Sequence, residues 1–313
     1  MINTHKIHYL SFPKQPSIPT GFERFWATLS KTSSTPTAYG WFHLLWLFLT
    51  LALCILVGFT CQKVKEKRVK TVLGATSIVL LVLEIYKQFA YSYDTQTNSW
   101  SYSWAIFPFQ FCSTPMYIMG LATIVKSKKL QNALYSFLAT YSLFAGALVM
   151  LIPNSVFCEI IGINIQTMFH HGAMVVIGVF LYVTKAVEIK NKTVIQGAPV
   201  FTVLLFIALV MNATFAAIGD GSDTFNMFYI ARSGNTPMDF IDEIFKVVPY
   251  PIILLAYAGG FTALGWAISL LAKGIQKIYT HAQIQCEEKV KKQNPQQNTI
   301  QETEENNTVK ETL

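Results

Sequence analysis

Residues 41–70 read WFHLLWLFLTLALCILVGFTCQKVKEKRVK. The stretch 41–61 contains no Asp, Glu, Lys or Arg, and 63–70 then carries five basic residues against one acid. About 20 consecutive apolar residues are what a helix needs to cross a bilayer. A run of that length is too long for a strand, and an open sheet cannot sit in lipid, where every backbone N–H must find its partner within the protein. This stretch therefore reads as a membrane-spanning helix followed by a basic loop.

Outward from it, six further runs have the same character, at 71–90, 104–125, 131–153, 164–184, 200–218 and 248–272. The fold class is all-α, a polytopic membrane bundle of about seven transmembrane helices occupying 41–284. The whole chain of 313 residues is only 13% charged, against about 25% for a soluble domain. The net charge of +7 lies in short blocks between apolar runs. That pattern belongs to cytoplasmic loops rather than to a nucleic-acid surface, so no nucleic-acid partner is expected. The loops after the first, third, fifth and seventh runs hold the basic blocks, whereas 91–103 and 154–163 hold no Lys or Arg. This predicts a cytoplasmic C-terminus and an outside N-terminus, in a multi-pass protein of the cell membrane.

Three segments lie outside the bundle. Residues 1–40 place Phe22, Phe25, Trp26 and Leu29 on one face of a short interfacial helix. Residues 219–247 form an acidic outer connection with Asp220, Asp223, Asp239, Asp242 and Glu243, and with a short helix around Ile241, Ile244 and Phe245. Residues 285–313, rich in Gln, Asn, Glu and Lys, bury too little apolar surface to fold and read as a disordered cytoplasmic tail. The five cysteines, Cys54, Cys61, Cys112, Cys158 and Cys286, form no CxxC pair, so neither a disulfide framework nor a zinc motif is expected.

Polar residues within the spans are costly and therefore informative. At 1.5 Å per residue, Glu84, Gln110, Cys112, His170, His171 and Asn212 all fall roughly 9–12 Å below the outer surface. They come from four helices running in both directions, while the cytoplasmic halves of those helices are almost wholly aliphatic. Each has an ordinary structural reading: Cys112 as a packing residue, the histidines and Asn212 as interhelical hydrogen-bonding groups. Glu84 is harder to place, since a carboxylate at that depth needs a partner; Lys87 one turn away could pair with it or snorkel outward. The stretch FPFQFCSTPMY, 107–117, puts Pro108 and Pro115 around Cys112 and frees backbone carbonyls within the third run. His170 and His171 point about 100° apart on a helix, so only one faces Cys112. A buried thiol becomes a nucleophile only with a base within reach.

FPFQFC, the His-Gly of FHHG, MNATF, and the later NMFYIARSGNTPMDFID and VPYP resemble the YwaF-like family of bacterial integral membrane proteins. That family is similar to a eukaryotic transmembrane acyltransferase that remodels ether phospholipids through a cysteine. The likeness runs from about Trp41 to Ala272. It implies a helix bundle, Cys112 as the catalytic cysteine and His171 as the His-Gly histidine; His170 stands where the family carries a small or polar residue.

The leading reading is a lipid acyltransferase or transacylase with Cys112 as nucleophile and His171 as general base. Gln110 or Asn212 would polarise the acyl carbonyl, Glu84 would orient a histidine, and His170 would line the substrate site. A site in the outer half of the membrane has no access to cytoplasmic acyl-CoA, so the expected acyl donor is a membrane phospholipid, with no cofactor and no metal. A rival reading is a small-solute or proton-coupled binding or transport protein using the same polar layer. A third is a metal site of a histidine, Cys112 and Glu84, for which no close-spaced ligand motif exists.

Overall fold

The computed structural model describes residues 20–94, 97–218, 225–232, 234, 236 and 239–293. The remaining residues, which include 1–19 of the expected N-terminal segment, Asp220, Asp223 and the part of the expected tail from 294 on, lie outside the described residues.

Among the described residues the chain is helical apart from a two-residue hairpin, β1 Tyr93–Asp94 with β2 Ser99–Trp100. The helices are α1 Gly21–Leu29, α2 Trp41–Thr60, α3 Glu66–Ser92, α4 Thr114–Ile124, α5 Lys128–Phe137, α6 Leu143–Leu151, α7 Ile161–Val183, α8 Asn191–Ile218, α9 Asp239–Val247 and α10 Tyr250–Gln293. A wide π turn, Leu138–Ser142, joins α5 and α6 into one rod. With that rod, six helices are long and apolar enough to cross a membrane, and α4 is a seventh, shorter apolar one.

The third span differs from the continuous helix expected over 104–125. A 3₁₀ turn, Trp104–Ile106, leads into irregular chain, and α-helix begins only at Thr114. The cause is the proline pair. Pro115 falls in the first turn of α4, where a missing N–H leaves no bond unmade. The carbonyls upstream then need other partners, and they have them: Gln88 Nε2 donates to Ile106 O at 2.8 Å and the Tyr117 hydroxyl to Pro108 O at 2.9 Å. Irregular backbone at membrane depth survives only on such terms. Two boundaries also move. α8 starts at Asn191 and carries Pro199 inside it, and α10 runs on past 272 to Gln293, so 285–293 of the expected disordered tail is helical, a continuation of the span's own helix.

Two helices form the centre. In the α5–α6 rod 72% of the most apolar stretch is buried, and in α7 67%, whereas in α2 it is 6%, so α2 lies at the periphery and meets the bundle along one side, chiefly through α7. α7 packs between α6, α2 and α3; α5 packs on α8. Lipid offers helices no hydrophobic reason to associate, so close approach through small residues matters. Gly172 of α7 lets Thr50 of α2 in: a Cβ there would lie 2.7 Å from Thr50 Oγ1. Gly197 of α8 abuts the main chain just before the π turn, where an added Cβ would lie 2.8 Å from Phe137 N. Backbone cannot rotate aside as a side chain can. Gly197→Ala should therefore lose about 1–3 kcal/mol of stability, read as a lower melting temperature in detergent; an unchanged melting curve would show that the two helices slide apart freely.

The connections alternate between two faces. On one, Thr32 bridges Ile160, Ser33 N–H donates to Glu159 O at 2.8 Å, and Trp26 of α1 stacks on Phe89 at 4.9 Å, beside the hairpin. α1 is thus the short helix expected near Phe22–Leu29, closed by a reciprocal cap between Thr20 and Glu23. On the opposite face Lys128 pairs with Glu66, and Lys273 Nζ donates to Asn191 Oδ1 at 2.6 Å. The basic blocks gather there.

Candidate functional site

α7 delivers the two histidines, both almost fully buried at 3% and 5% exposure. His170 Nε2 lies 2.9 Å from the Cys112 carbonyl oxygen, and His171 Nδ1 lies 2.7 Å from the Thr167 carbonyl oxygen of its own helix. A carbonyl only accepts, so each of these nitrogens carries the hydrogen. The opposite nitrogens, His170 Nδ1 and His171 Nε2, are buried without a hydrogen-bond partner. The rings thus adopt opposite tautomers, 5.6 Å apart, each with a bare lone pair. It is His170 that touches the Cys112 segment, and through its main chain; neither bare nitrogen is hydrogen-bonded to the thiol.

Cys112 is half-buried, one residue before Ser113, the N-cap of α4. The positive end of the α4 dipole therefore lies next to Cys112 in the chain and favours negative charge nearby, a usual device of broken helices in membranes. The charged side chains in range of the thiol are Lys87 and Glu84. Glu84 Oε1 receives Lys87 Nζ and Gln88 Nε2, both at 2.7 Å, while Oε2 is buried and unpartnered. Gln88 also accepts the Tyr102 hydroxyl at 2.8 Å. Of the two roles open to Lys87, pairing with Glu84 is the one the structure adopts.

A third component was not among the residues expected at the site. Residues 225–231, within the expected outer connection, fold back into the bundle, and Phe225, Asn226, Met227, Phe228, Ile230 and Ala231 are all buried. Side-chain amides hold this loop. Gln110 Nε2 donates to Asn226 O at 2.9 Å, and Phe228 N–H donates to Gln110 Oε1 at 3.0 Å. Asn212 makes the matching pair with Met227, donating to its carbonyl at 3.0 Å and accepting from its N–H at 2.8 Å. Asn226 Oδ1 accepts from Ala231 N–H at 2.7 Å, and the Tyr250 hydroxyl donates to Ile230 O at 2.7 Å. Within this frame Phe228 and Tyr229 have φ of 60° and 55°, left-handed backbone in two consecutive non-glycine residues, each costing on the order of 1 kcal/mol. The readable signal was NMFYIA, an apolar run bracketed by polar residues inside an otherwise acidic connection.

The six residues of the expected polar layer have differing partners: His171 bonds within α7, and Glu84 bonds Lys87 and Gln88 of its own helix. Gln110 and Asn212 are committed to the backbone of the 225–231 loop, which Phe109 and Phe111 flank with rings 5.9 and 5.3 Å from that of Phe228. His170 ties α7 to the Cys112 segment. His171 Nε2, His170 Nδ1 and Glu84 Oε2 remain as open acceptors. Among the described residues, no three His, Cys, Asp or Glu side chains converge as a metal site, so the His–Cys112–Glu84 arrangement is not formed.

The sequence model of the TMEM164 family matches residues 38–270, nearly the whole bundle. No curated protein and no solved structure matches the chain.

Proposed function

This chain belongs to the TMEM164 family of membrane proteins, and from that premise we propose that it is a membrane-embedded lipid acyltransferase acting through Cys112 and His171. One observation supports the reading: His170, which neighbours His171 on α7 and like it has a bare lone pair, bonds the carbonyl of Cys112, a half-buried cysteine at a helix N-terminus. His170 is tethered by Nε2 to the Cys112 carbonyl, so its own lone pair sits on the far side of the ring from that bond. The His171 lone pair at Nε2 is the one assigned to the thiol.

In this mechanism His171 Nε2 takes the thiol proton and the sulfur adds to the carbonyl carbon of a phospholipid acyl ester. The ester C–O bond breaks, the departing alkoxide recovers the proton from His171, and a thioester remains on Cys112. A hydroxyl of another lipid, or water, then gives its proton to His171 and attacks the thioester. The C–S bond breaks and the sulfur regains the proton. Glu84 with Lys87 fixes the local field, and His170 holds the Cys112 segment in register.

The intermediate is directly observable. Protein incubated in vesicles of phosphatidylcholine with deuterated acyl chains should carry a hydroxylamine-sensitive acyl group on the Cys112 peptide by mass spectrometry. Cys112→Ala protein should carry none. Normal lipid transfer by Cys112→Ala would discard the covalent route. The unpartnered Glu84 Oε2 beside Lys87 would then favour the rival reading, a binding or transport protein for a small polar solute or proton.

A further inference from the structure

The sequence offered Gln110 and Asn212 to polarise the acyl carbonyl, yet both amides are bound at two points each to the main chain of residues 226–228. Their bonds instead hold Tyr229 in place. Tyr229 follows Phe228, whose N–H is bonded to Gln110, and Gln110 precedes Cys112 by two residues. The Cys112 thiol and the Tyr229 phenol lie within electrostatic reach of each other. Tyr229 is 44% exposed, although the loop around it is buried.

Two successive side chains in left-handed backbone are held by Gln110, Asn212, Asn226 and Tyr250 together. Glycine or asparagine would adopt that backbone with less strain. A strained residue that its surroundings over-determine is a mark of function. Within 225–231 Tyr229 is the exposed residue of an otherwise buried loop, and that loop is bonded to Gln110, two residues before Cys112.

We propose that Tyr229 is a catalytic residue of the Cys112 site, its hydroxyl donating a hydrogen bond to the acyl carbonyl oxygen as the sulfur attacks. The assignment rests on the acyl-transfer reading. As the C–S bond forms, the carbonyl π electrons move to oxygen; the phenol holds that charge without giving up its proton and releases it when C=O reforms. Tyr257, the other phenol in range of the thiol, is the natural control. Its ring is packed against Phe261 at 4.6 Å and Phe201 at 6.4 Å on the regular helix α10.

The test uses full-length protein in vesicles of phosphatidylcholine bearing a fluorescent acyl chain, with a lysophospholipid as acceptor. Tyr229→Phe should keep the wild-type melting temperature and KM and lose about a hundredfold in kcat, as removal of one oxyanion donor does. Tyr229→Gly should melt no lower than wild type, since glycine relieves the strain, and be at least as inactive. Tyr257→Phe should retain wild-type kcat. Wild-type kcat in Tyr229→Phe, with Cys112→Ala dead, overturns the Tyr229 assignment alone, as does a loss confined to Tyr257→Phe. No transfer by wild type, or full transfer by Cys112→Ala, overturns the acyl-transfer reading beneath it.

Discussion

Glu84→Ala should cost the detergent-solubilised protein about 3–5 kcal/mol, because it strands the Lys87 ammonium in a membrane interior. The side chains of the pair are only 5% and 16% exposed, so water cannot take over the lost partner. Gln88 would lose a bond as well, since Glu84 Oε1 serves both. Replacing both charges, Glu84→Met with Lys87→Met, should recover most of that loss, because an ion pair at such depth repays little more than its own desolvation. Denaturant or thermal unfolding in one detergent reads both variants. A single variant as stable as wild type would mean that Lys87 reaches the interface by snorkelling; a double variant as unstable as the single one would mean that the pair is needed for packing.

The second large effect is expected in activity. Cys112→Ser and His171→Ala should each reduce lipid transfer about a thousandfold while folding normally, since a hydroxyl without a base is a poor nucleophile. The double variant should be little worse than either, as befits residues that act as one unit. His170→Ala should show a different signature. It removes the 2.9 Å tether to the Cys112 carbonyl, so stability should fall along with rate. If His170→Ala lost more activity than His171→Ala at unchanged stability, the base would be His170 acting through Nδ1. Additive losses in the Cys112–His171 double variant would separate the two residues mechanistically.

The spans were legible in the sequence because charge is so expensive in lipid that its absence over 41–61 admits one reading. The polar layer was legible for the same reason: Glu84, Gln110, Cys112, His170, His171 and Asn212 were conspicuous by cost alone. Their partners were not legible. Gln110 bonds a carbonyl 116 positions away and Asn212 one 15 positions away, and nothing in helical periodicity points across such distances. The proline pair signalled disturbance in the third span, but whether the helix would kink or break depended on whether Gln88, Tyr117 and His170 could take the freed carbonyls. The 225–231 loop was hidden because it is too short to span and sits among acids. The histidine tautomers follow only from which oxygen each ring meets.

The broken third span also bears on how the chain is made. Residues 107–113 cannot lie bare against hydrocarbon, and apart from Tyr117 the groups that shield them arrive late. His170 follows Cys112 by 58 residues, and Asn226 follows Gln110 by 116. At synthesis rates of about 5–20 residues per second, the segment waits on the order of ten seconds for its partners. During that interval it must stay inside the translocation channel or against an insertion factor, while α2 and α3, self-sufficient as helices, can partition into lipid as they emerge. Membrane insertion and tertiary folding, separable for those two spans, are a single event for this one.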